Sequence, residues 1–352
     1  MKRHSGFSMV ELMVAITLAL LLTGAVIAVF VGSRSAYEST AGVGDMSDSG
    51  RMALNLIGES VRSAGSIACN SAMIATSQNV ANNPLNFDRN FGQGVVGFEA
   101  NGTGPGNAIA QPALPVVGAA NNWTPNLGAP LTGPGQPVQG SDVLVVRSSV
   151  PRITPVYTTL DVAPNAANLT VTPTGFSLLN TAFAAVSDCT KSVIFTTVGA
   201  VAAGGTAVAL NAGLPVGFSA GAVVTPLTTI IYYIGVGSDG DSSLFRIQQL
   251  NGGPLFDAPE ELVPDVENMQ VLYGIDPAGT QTAAAYVTAD QVGGLNVVSI
   301  QVALLVASPA AGKQVQTAVP YYSLLTTQVT PPVDNRSRKV FYATLNLRNA
   351  VN

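Results

Sequence analysis

The chain has 352 residues and a formal net charge of −5, with 47% hydrophobic and only 10% charged residues, whereas soluble domains average about 25% charged residues. Basic residues form no run except RSRK near the C-terminus, so no nucleic-acid partner is expected. The only histidine is His4 and no spaced pair of carboxylates stands out, so we expect no enzyme activity, no cofactor and no metal site.

The first element is a long apolar segment near the N-terminus. No charged residue occurs from Leu12 to Ser33, and a helix of that length spans roughly 33 Å, enough to cross a bilayer core of about 30 Å. Lys2 and Arg3 precede it, which favours a cytoplasmic N-terminus and export of the rest of the chain. The alternative is a cleaved secretory signal, but the apolar run is longer than an ordinary signal core.

Glu11 lies inside the first turn of this segment, where a carboxylate costs several kcal/mol in hydrocarbon. The surrounding sequence GFSMVE (6–11) resembles the processing site of type IV prepilins and pseudopilins. That resemblance implies removal of the leader 1–6, cleavage after Gly6 by a prepilin peptidase, and methylation of the new amine of Phe7. In a filament, Glu11 would neutralise the Phe7 amine of a neighbouring subunit. The alternative is that Glu11 lies at headgroup level and is solvated.

The helix is expected to continue beyond the membrane. Residues 7–33 form its transmembrane part and 34–65 its exported, amphipathic part. Within 51–65 one face is apolar at three- and four-residue spacing, through Leu54, Ile57, Val61 and Ala64. Glycines between positions 42 and 50 each weaken a helix by about 1 kcal/mol relative to alanine. Whether the helix is continuous through 42–50 is left open.

Two cysteines, Cys69 and Cys189, are present. An exported chain with a low, even number of cysteines predicts one periplasmic disulfide, which for so long a loop is worth about 4–5 kcal/mol in the chain-entropy model. Two free, buried thiols are the alternative.

Residues 70–141 are rich in Asn, Gly, Pro and Ala and predict a loop-rich insertion with few strands. The single tryptophan, Trp123, lies here. It would either pack in the core or anchor a partner protein.

Strands become recognisable after residue 141 because β-branched, aromatic and leucine residues cluster in short runs. The predicted strands are 142–149, 192–197, 228–235, 243–250, 297–306 and 339–348. The third and fourth predict a hairpin. Asp239 and Asp241 in its loop suggest either a calcium ligand pair or a solvated turn, and they lack the full set of a calcium loop. Residues 258–274 predict a turn or short helix that leads into a strand.

Further stretches are similar to PilW-type minor pilins, relatives of the J-type pseudopilins of type II secretion. They are SGRMALNLIGESVRSAG, GSDVLVVRSS, SDC, ELVPDVENMQVLYGID and RKVFYATLNLRN. The resemblance implies an α+β, type IV pilin-like fold, in which a long N-terminal helix packs on an enlarged antiparallel β-rich head spanning 66–352.

The same resemblance implies a function in initiation and assembly of the type IV pilus, in a tip or priming complex that supports adhesion or motility. Its implied partners are the other minor pilins, the major pilin, the prepilin peptidase and a tip adhesin. The protein would reside in the inner membrane as a single-pass protein with a periplasmic head, and then in the pilus at the cell surface. The alternatives are a J-type pseudopilin and a membrane-stalked adhesive module.

Overall fold

The structure is a computed structural model and describes residues 8–68, 70–71, 77–80, 90–128, 130–131, 135–150, 154, 156–249, 256–308, 320–325, 327–334 and 336–348. These residues form one long helix followed by a β-rich head with antiparallel sheets. The predicted α+β, pilin-like fold is confirmed.

The helix α1 runs without a break over Met9–Ser63, 55 residues, or about 82 Å. No proline interrupts it, because the first proline of the chain is Pro84. It ends where Gly65 takes a positive φ of 73°, a conformation that glycine adopts at helix C-termini without steric cost. The glycines at 42–50 do not break the helix.

The strands of the head are short at its start and long around its core. Their bounds are β1 Ser66–Ile67, β2 Asn70–Ser71, β3 Ser77–Asn79, β4 Val95–Ala100, β5 Ala108–Ala110, β6 Trp123–Thr124, β7 Val143–Ser149, β8 Val156–Tyr157, β9 Asn168–Thr170, β10 Phe183–Ser187, β11 Ser192–Thr196, β12 Ala207–Ala209, β13 Val223–Val236, β14 Ser242–Gln248, β15 Glu260–Pro264, β16 Val266–Ile275, β17 Ala285–Val287, β18 Val297–Ala307, β19 Tyr322–Leu324, β20 Thr327–Thr330 and β21 Arg338–Asn346. Short 3₁₀ helices span Ala120–Asn122 and Ala289–Gln291.

The main sheet is organised around β13. Its order is β3-β11-β10-β13-β7-β4-β6, with β8 and β14 also paired to β13 and β15 paired to β14. At 14 residues, β13 is long enough to pair with β8 and β10 along its first part and with β7 and β14 along its second. Nearly all of its side chains are buried, which explains its almost continuous apolar sequence.

A second, antiparallel sheet has the order β17-β16-β18-β21. Its strands β16, β18 and β21, the second half of α1 and the main sheet enclose the largest core. Side chains of that core from α1 include Ala53, Ile57 and Val61, all fully buried. The amphipathic face predicted for 51–65 therefore packs on the head as expected.

The six strands predicted after residue 141 are all present, with bounds that differ by a few residues. One other prediction was wrong. Residues 258–274 form the strands β15 and β16, with Asp265 at a φ of 62° between them, and not a turn or helix before a single strand. The described residues of 70–141 contain short strands among loops, and the longest of these strands, β4, pairs with β7 inside the main sheet.

Candidate assembly interface of the N-terminal helix

Burial divides α1 into two parts. Every side chain from Ser8 to Arg34 is exposed, and the apolar ones include Met9 at 83% and Leu21 at 71% exposure. The most apolar 18-residue window of α1 has a mean hydropathy of 2.7, and none of it is buried by the head. An apolar surface of this size requires a cover of lipid or protein. The first part of α1 is long and apolar enough to span a membrane.

Glu11 is the only charged residue between positions 8 and 33. Its Oε2 atom accepts a hydrogen bond of 3.2 Å from the backbone N–H of Ser8, the residue that caps α1. A carboxylate at the start of a helix also interacts favourably with the helix dipole. Because a carboxylate has two acceptor oxygens, Glu11 can cap its own helix and accept from a second donor. Gly6 and Phe7, the predicted cleavage and methylation residues, lie outside the described residues.

The second part of α1 approaches the head closely at two glycines. A Cβ at Gly50 would lie 2.4 Å from Cδ2 of Phe341, and a Cβ at Gly58 would lie 3.3 Å from Cδ2 of Leu345. Both partners belong to β21. The absent side chains let helix and strand come together. Sequence reasoning missed this role because it counted Gly50 only as a weak helix former and did not consider Gly58.

A hydrogen-bonded contact fixes the same part of α1 to the main sheet. The hydroxyl oxygens of Ser60 and Tyr232 are 2.8 Å apart, and the Tyr232 hydroxyl lies 3.2 Å from the carbonyl oxygen of Leu56. The exposed first part of α1 is thus carried by a helix that both sheets hold in place.

Two family patterns match the chain. The prokaryotic N-terminal methylation motif matches residues 1–27, and the pattern described as type IV pilus-assembly protein W matches residues 231–349. The two matches support a PilW-type minor pilin. Neither match covers residues 28–230. No curated protein matches the chain.

The matched C-terminal region includes β16, β18 and β21, the strands that pack on α1. The PilW match therefore covers the sheet that packs on α1, and the methylation-motif match covers the start of the apolar helix.

The PilW-type head buries two neighbouring carboxyl groups. Asp142 accepts hydrogen bonds from the backbone N–H groups of Ala100 and Val271, at 2.9 and 2.8 Å, and so joins β4 to β16. Burial raises the pKa of Asp142 well above its usual value, and the nearby Glu99 raises it further. Burial, then the charge of Asp290, raises the pKa of Glu99 to about 7. Sequence reasoning missed both residues because they are distant from each other in the chain.

The C-terminal arginines form ion pairs. Arg336 pairs with Asp241 at 2.8 Å and with Asp265. Asp239 accepts a hydrogen bond from the backbone N–H of Asp241. Among the residues that the structure describes, no cluster of potential metal ligands is present. The loop is a solvent-exposed turn in which the carboxylate of Asp241 pairs with the Arg336 guanidinium group.

Arg338 has a side chain that is only 1% exposed, and it contacts Glu267 and Asp334. The hydrogen bonds and charges of these two carboxylates raise the pKa of the Arg338 guanidinium, although its burial acts in the opposite direction. The arginine therefore remains a buried cation at every physiological pH.

Trp123 is fully buried, and its indole N–H donates to the carbonyl oxygen of Ser141 at 2.8 Å. A Cβ at Gly118 would lie 2.3 Å from the Trp123 ring. The core position predicted for this residue is confirmed, and a role as an exposed anchor for a partner is excluded for this conformation.

Cys189 lies in a turn with a φ of 67°. Asp188 orders this turn, since its Oδ1 accepts hydrogen bonds from the backbone N–H groups of Thr190 and Lys191. Cys69 lies outside the described residues, so its pairing with Cys189 stays a prediction.

Proposed function

We propose that this PilW-type chain takes part in initiating and assembling the type IV pilus, within a tip or priming complex that supports pilus-dependent adhesion or motility. The observation that carries the proposal is the exposed apolar part of α1, continuous with a second part that is fixed to the head. Such a helix is suited to leave a lipid environment and enter a bundle of similar helices, because both environments cover the same side chains.

Before assembly, the chain lies in the inner membrane with its N-terminus in the cytoplasm and its head in the periplasm. Lys2 and Arg3 support this orientation. A prepilin peptidase cuts after Gly6, and the new amine of Phe7 is methylated. The matched methylation motif supports this step.

In the filament, Glu11 pairs with the Phe7 amine of a neighbouring subunit. Each charge alone is costly in an apolar surrounding, whereas the pair fixes one axial position of helix against helix. The hydrogen bond from Ser8 supports this role because it holds the Glu11 carboxylate against the start of α1. The partners are the other minor pilins, the major pilin and a tip adhesin, and the function is structural rather than enzymatic.

The experiment is deletion of the gene, followed by complementation and mass spectrometry of sheared pili. The proposal expects loss of piliation, restoration by the intact gene, and a peptide of this chain that begins with methylated Phe7. Normal pili with lost attachment would instead indicate an adhesive module. Normal pili with lost export of enzymes would indicate a pseudopilin of type II secretion.

A further inference from the structure

The region between β7 and β13 has a hydrophobic core of its own. Seventeen buried residues from Val156 to Val224 form a cluster that is separate from the core beneath α1. The chain leaves the head after β7 and returns to pair with it, because the N–H of Val150 donates to the carbonyl oxygen of Pro226 and Ser149 is in register with Leu227. The region is thus an insertion into a hairpin of the pilin head.

The insertion contains two segments of similar structure, 156–187 (repeat A) and 195–227 (repeat B). The strand β9 of repeat A begins 39 positions before β12 of repeat B, and β10 begins 40 positions before β13. The one-residue difference arises in the loop after the residues Thr172 and Asn211. Thr172 accepts a hydrogen bond from the backbone N–H of Tyr157 in β8, and Asn211 accepts the equivalent bond from the N–H of Thr196 in β11.

The contacts between the two repeats are reciprocal. The β-bridge between Val162 and Phe218 has a counterpart between Val201 and Leu178, and the second bridge follows from the first by the same displacement of 39 and 40 positions. The strands β9 and β12 pair antiparallel with each other, with Leu169 opposite Val208. Antiparallel pairing of equivalent strands is the arrangement that a two-fold axis produces.

Strand pairings at the two ends follow the same rule. In repeat A, Val156 of β8 pairs with Val224 of repeat B. In repeat B, Phe195 of β11 pairs with Ala184 of repeat A. The last strand of each repeat therefore pairs with the first strand of the other repeat.

A side-chain hydrogen bond is duplicated as well. The N–H of Ala222 donates to Oγ1 of Thr158 at 3.0 Å, and the N–H of Ala182 donates to Oγ1 of Thr197 at 2.9 Å. All four residues are buried, and the residue type is the same at each equivalent pair. These are among the few identical positions in the two repeats.

Positive φ angles recur at equivalent positions. Asn165 has a φ of 64° and its equivalent Gly204 has 86°, while Thr181 has 62° and Gly221 has 92°. A threonine pays a steric cost in this conformation. The two repeats follow the same backbone path, so Thr181 adopts the positive φ that its equivalent Gly221 adopts without strain.

We infer that residues 156–227 are an internally duplicated domain, two copies of one unit related by an approximate two-fold axis through β9 and β12. The domain folds as one unit distinct from the pilin core. Its role is separate from polymerisation, so assembly requires α1 and the pilin core but not this domain. The statement about assembly rests on the proposed function, whereas the inference that residues 156–227 form a duplicated domain does not.

The position of the domain agrees with this separation. Just beyond the end of α1, the N–H of Gly65 donates to the carbonyl oxygen of Arg147, and the N–H of Ala68 donates to Oγ of Ser149. The insertion starts from this end of β7, which is the end of the head next to the C-terminus of α1. The apolar, membrane-type part of α1 lies at the opposite end of the helix.

The first test is hydrogen exchange with mass spectrometry on the full chain in detergent. Leu169→Ala and Val208→Ala are equivalent changes at the centre of the β9–β12 pair. Each should lower protection at least tenfold in both repeats and leave β16 and β18 within about threefold of the unchanged chain. Val271→Ala, in β16, is the matched control. It should lower protection in β16 and β18 and leave protection in both repeats nearly unchanged. Equal loss in β16 and β18 after Leu169→Ala would overturn the inference, and so would loss confined to repeat A.

A second variant addresses assembly and does not rely on a substitution in the core. Residues 151–225 are replaced by Asn-Gly, a two-residue turn that suits the β7–β13 hairpin, and Cys69→Ser removes the thiol left without its predicted partner. The full-length Cys69→Ser chain is the control. The shortened chain should keep protection in β16, β18 and β21 and restore as many pili as the control in a strain without the native copy.

Loss of protection in those strands would show that the domain and the core are one unit. Pili restored by the control but not by the shortened chain would overturn the separation from polymerisation. If deletion of the gene leaves piliation unchanged, the proposed function fails, and the exchange experiment still decides the domain.

Discussion

Arg338 donates two hydrogen bonds to Glu267, one to each carboxylate oxygen, at 2.7 and 2.8 Å. The pair joins β21 to the second residue of β16 across the intervening strand β18, and the arginine is almost completely buried. Fork-shaped pairing of this kind requires a planar guanidinium group. The last strand of the head is therefore fixed by charge as well as by backbone pairing.

Replacing Arg338 should be far more damaging than replacing an exposed arginine. Arg338→Ala leaves Glu267 and Asp334 without their shared cation, and we expect a loss of about 3–5 kcal/mol in the free energy of unfolding. Arg246→Ala is the matched control, because its pair with Glu260 is 29% and 58% exposed and is worth about 0–1 kcal/mol. Denaturant unfolding of both variants measures the difference. Equal losses would contradict the role given to Arg338.

Gly50→Ala should weaken the contact of α1 with the head. The added methyl group meets the ring of Phe341, and overpacking of this kind costs about 1–3 kcal/mol. The gain in helix propensity from glycine to alanine is only about 1 kcal/mol, so the net effect should be destabilising. Gly44→Ala is the control, since nothing lies within 4 Å of its Cβ, and it should raise stability slightly. Thermal unfolding separates the two. The prediction fails if both substitutions stabilise the protein.

Glu11→Gln tests the proposed pair with Phe7. Glutamine can still accept the hydrogen bond from Ser8, so it retains the helix cap and removes only the charge. The variant should be processed and inserted normally yet join pili poorly, while Glu38→Gln, which breaks an exposed pair with Arg34 on the same helix, should assemble normally. The measurement is pilus yield at equal membrane level. Normal yield from Glu11→Gln would show that the charge is not needed for assembly.

The stability of the head should depend on pH through Glu99. Its pKa is about 7 in the folded protein and near 4.5 when exposed, so the folded state holds the proton more tightly than the unfolded state. The free energy of unfolding should therefore fall as pH rises from about 4.5 to 7, by an amount on the order of 2 kcal/mol. Glu99→Gln should remove about half of this fall or more, because the buried Asp142 contributes in the same direction.

The control for this pH dependence is Asp48→Asn, a change at an exposed position of α1. It should leave the slope of stability against pH unchanged. A Glu99→Gln variant with the full slope of the unchanged protein would place the pH dependence elsewhere.

Cys69 and Cys189 should be recovered as one disulfide-linked peptide pair. The bond would tie the segment after α1 to the duplicated domain, and its removal by Cys189→Ser should lower the stability of the head by a few kcal/mol. Peptide mapping without reduction, on freshly alkylated protein, is the measurement. Recovery of both peptides with alkylated thiols would rule the bond out.

The sequence predicted the parts of the fold that depend on regular patterns. Three- and four-residue spacing located Ile57 and Val61 on the buried face of α1, and β-branched runs located β13 and β18. It did not reveal why Gly50 is a glycine, because the reason is a phenylalanine in the last strand. Local propensity describes a residue's neighbours in the chain and not its partners in space.

The remaining omissions have related causes. The sequence shows RSRK only as a short basic run, and the buried role of Arg338 depends on Glu267 and Asp334, which lie beside it only in the folded protein. The duplicated domain escaped notice because its strands β8, β9 and β12 contain two or three residues each, too few for a periodic signal. Its two copies also share few identical residues beyond such pairs as Thr158 and Thr197, since the path of the backbone is kept while the side chains differ.

The contact of β21 with α1 joins the last strand of the head to the first element of the chain. Until Phe341 and Leu345 have been synthesised, the apolar face of α1 that contains Gly50 and Gly58 has no strand to cover it, and one edge of β18 is unpaired. Closure of the core therefore waits for the final residues, and a topology of such long range folds slowly. During that interval the exposed edge of β18 is a site for pairing with other chains.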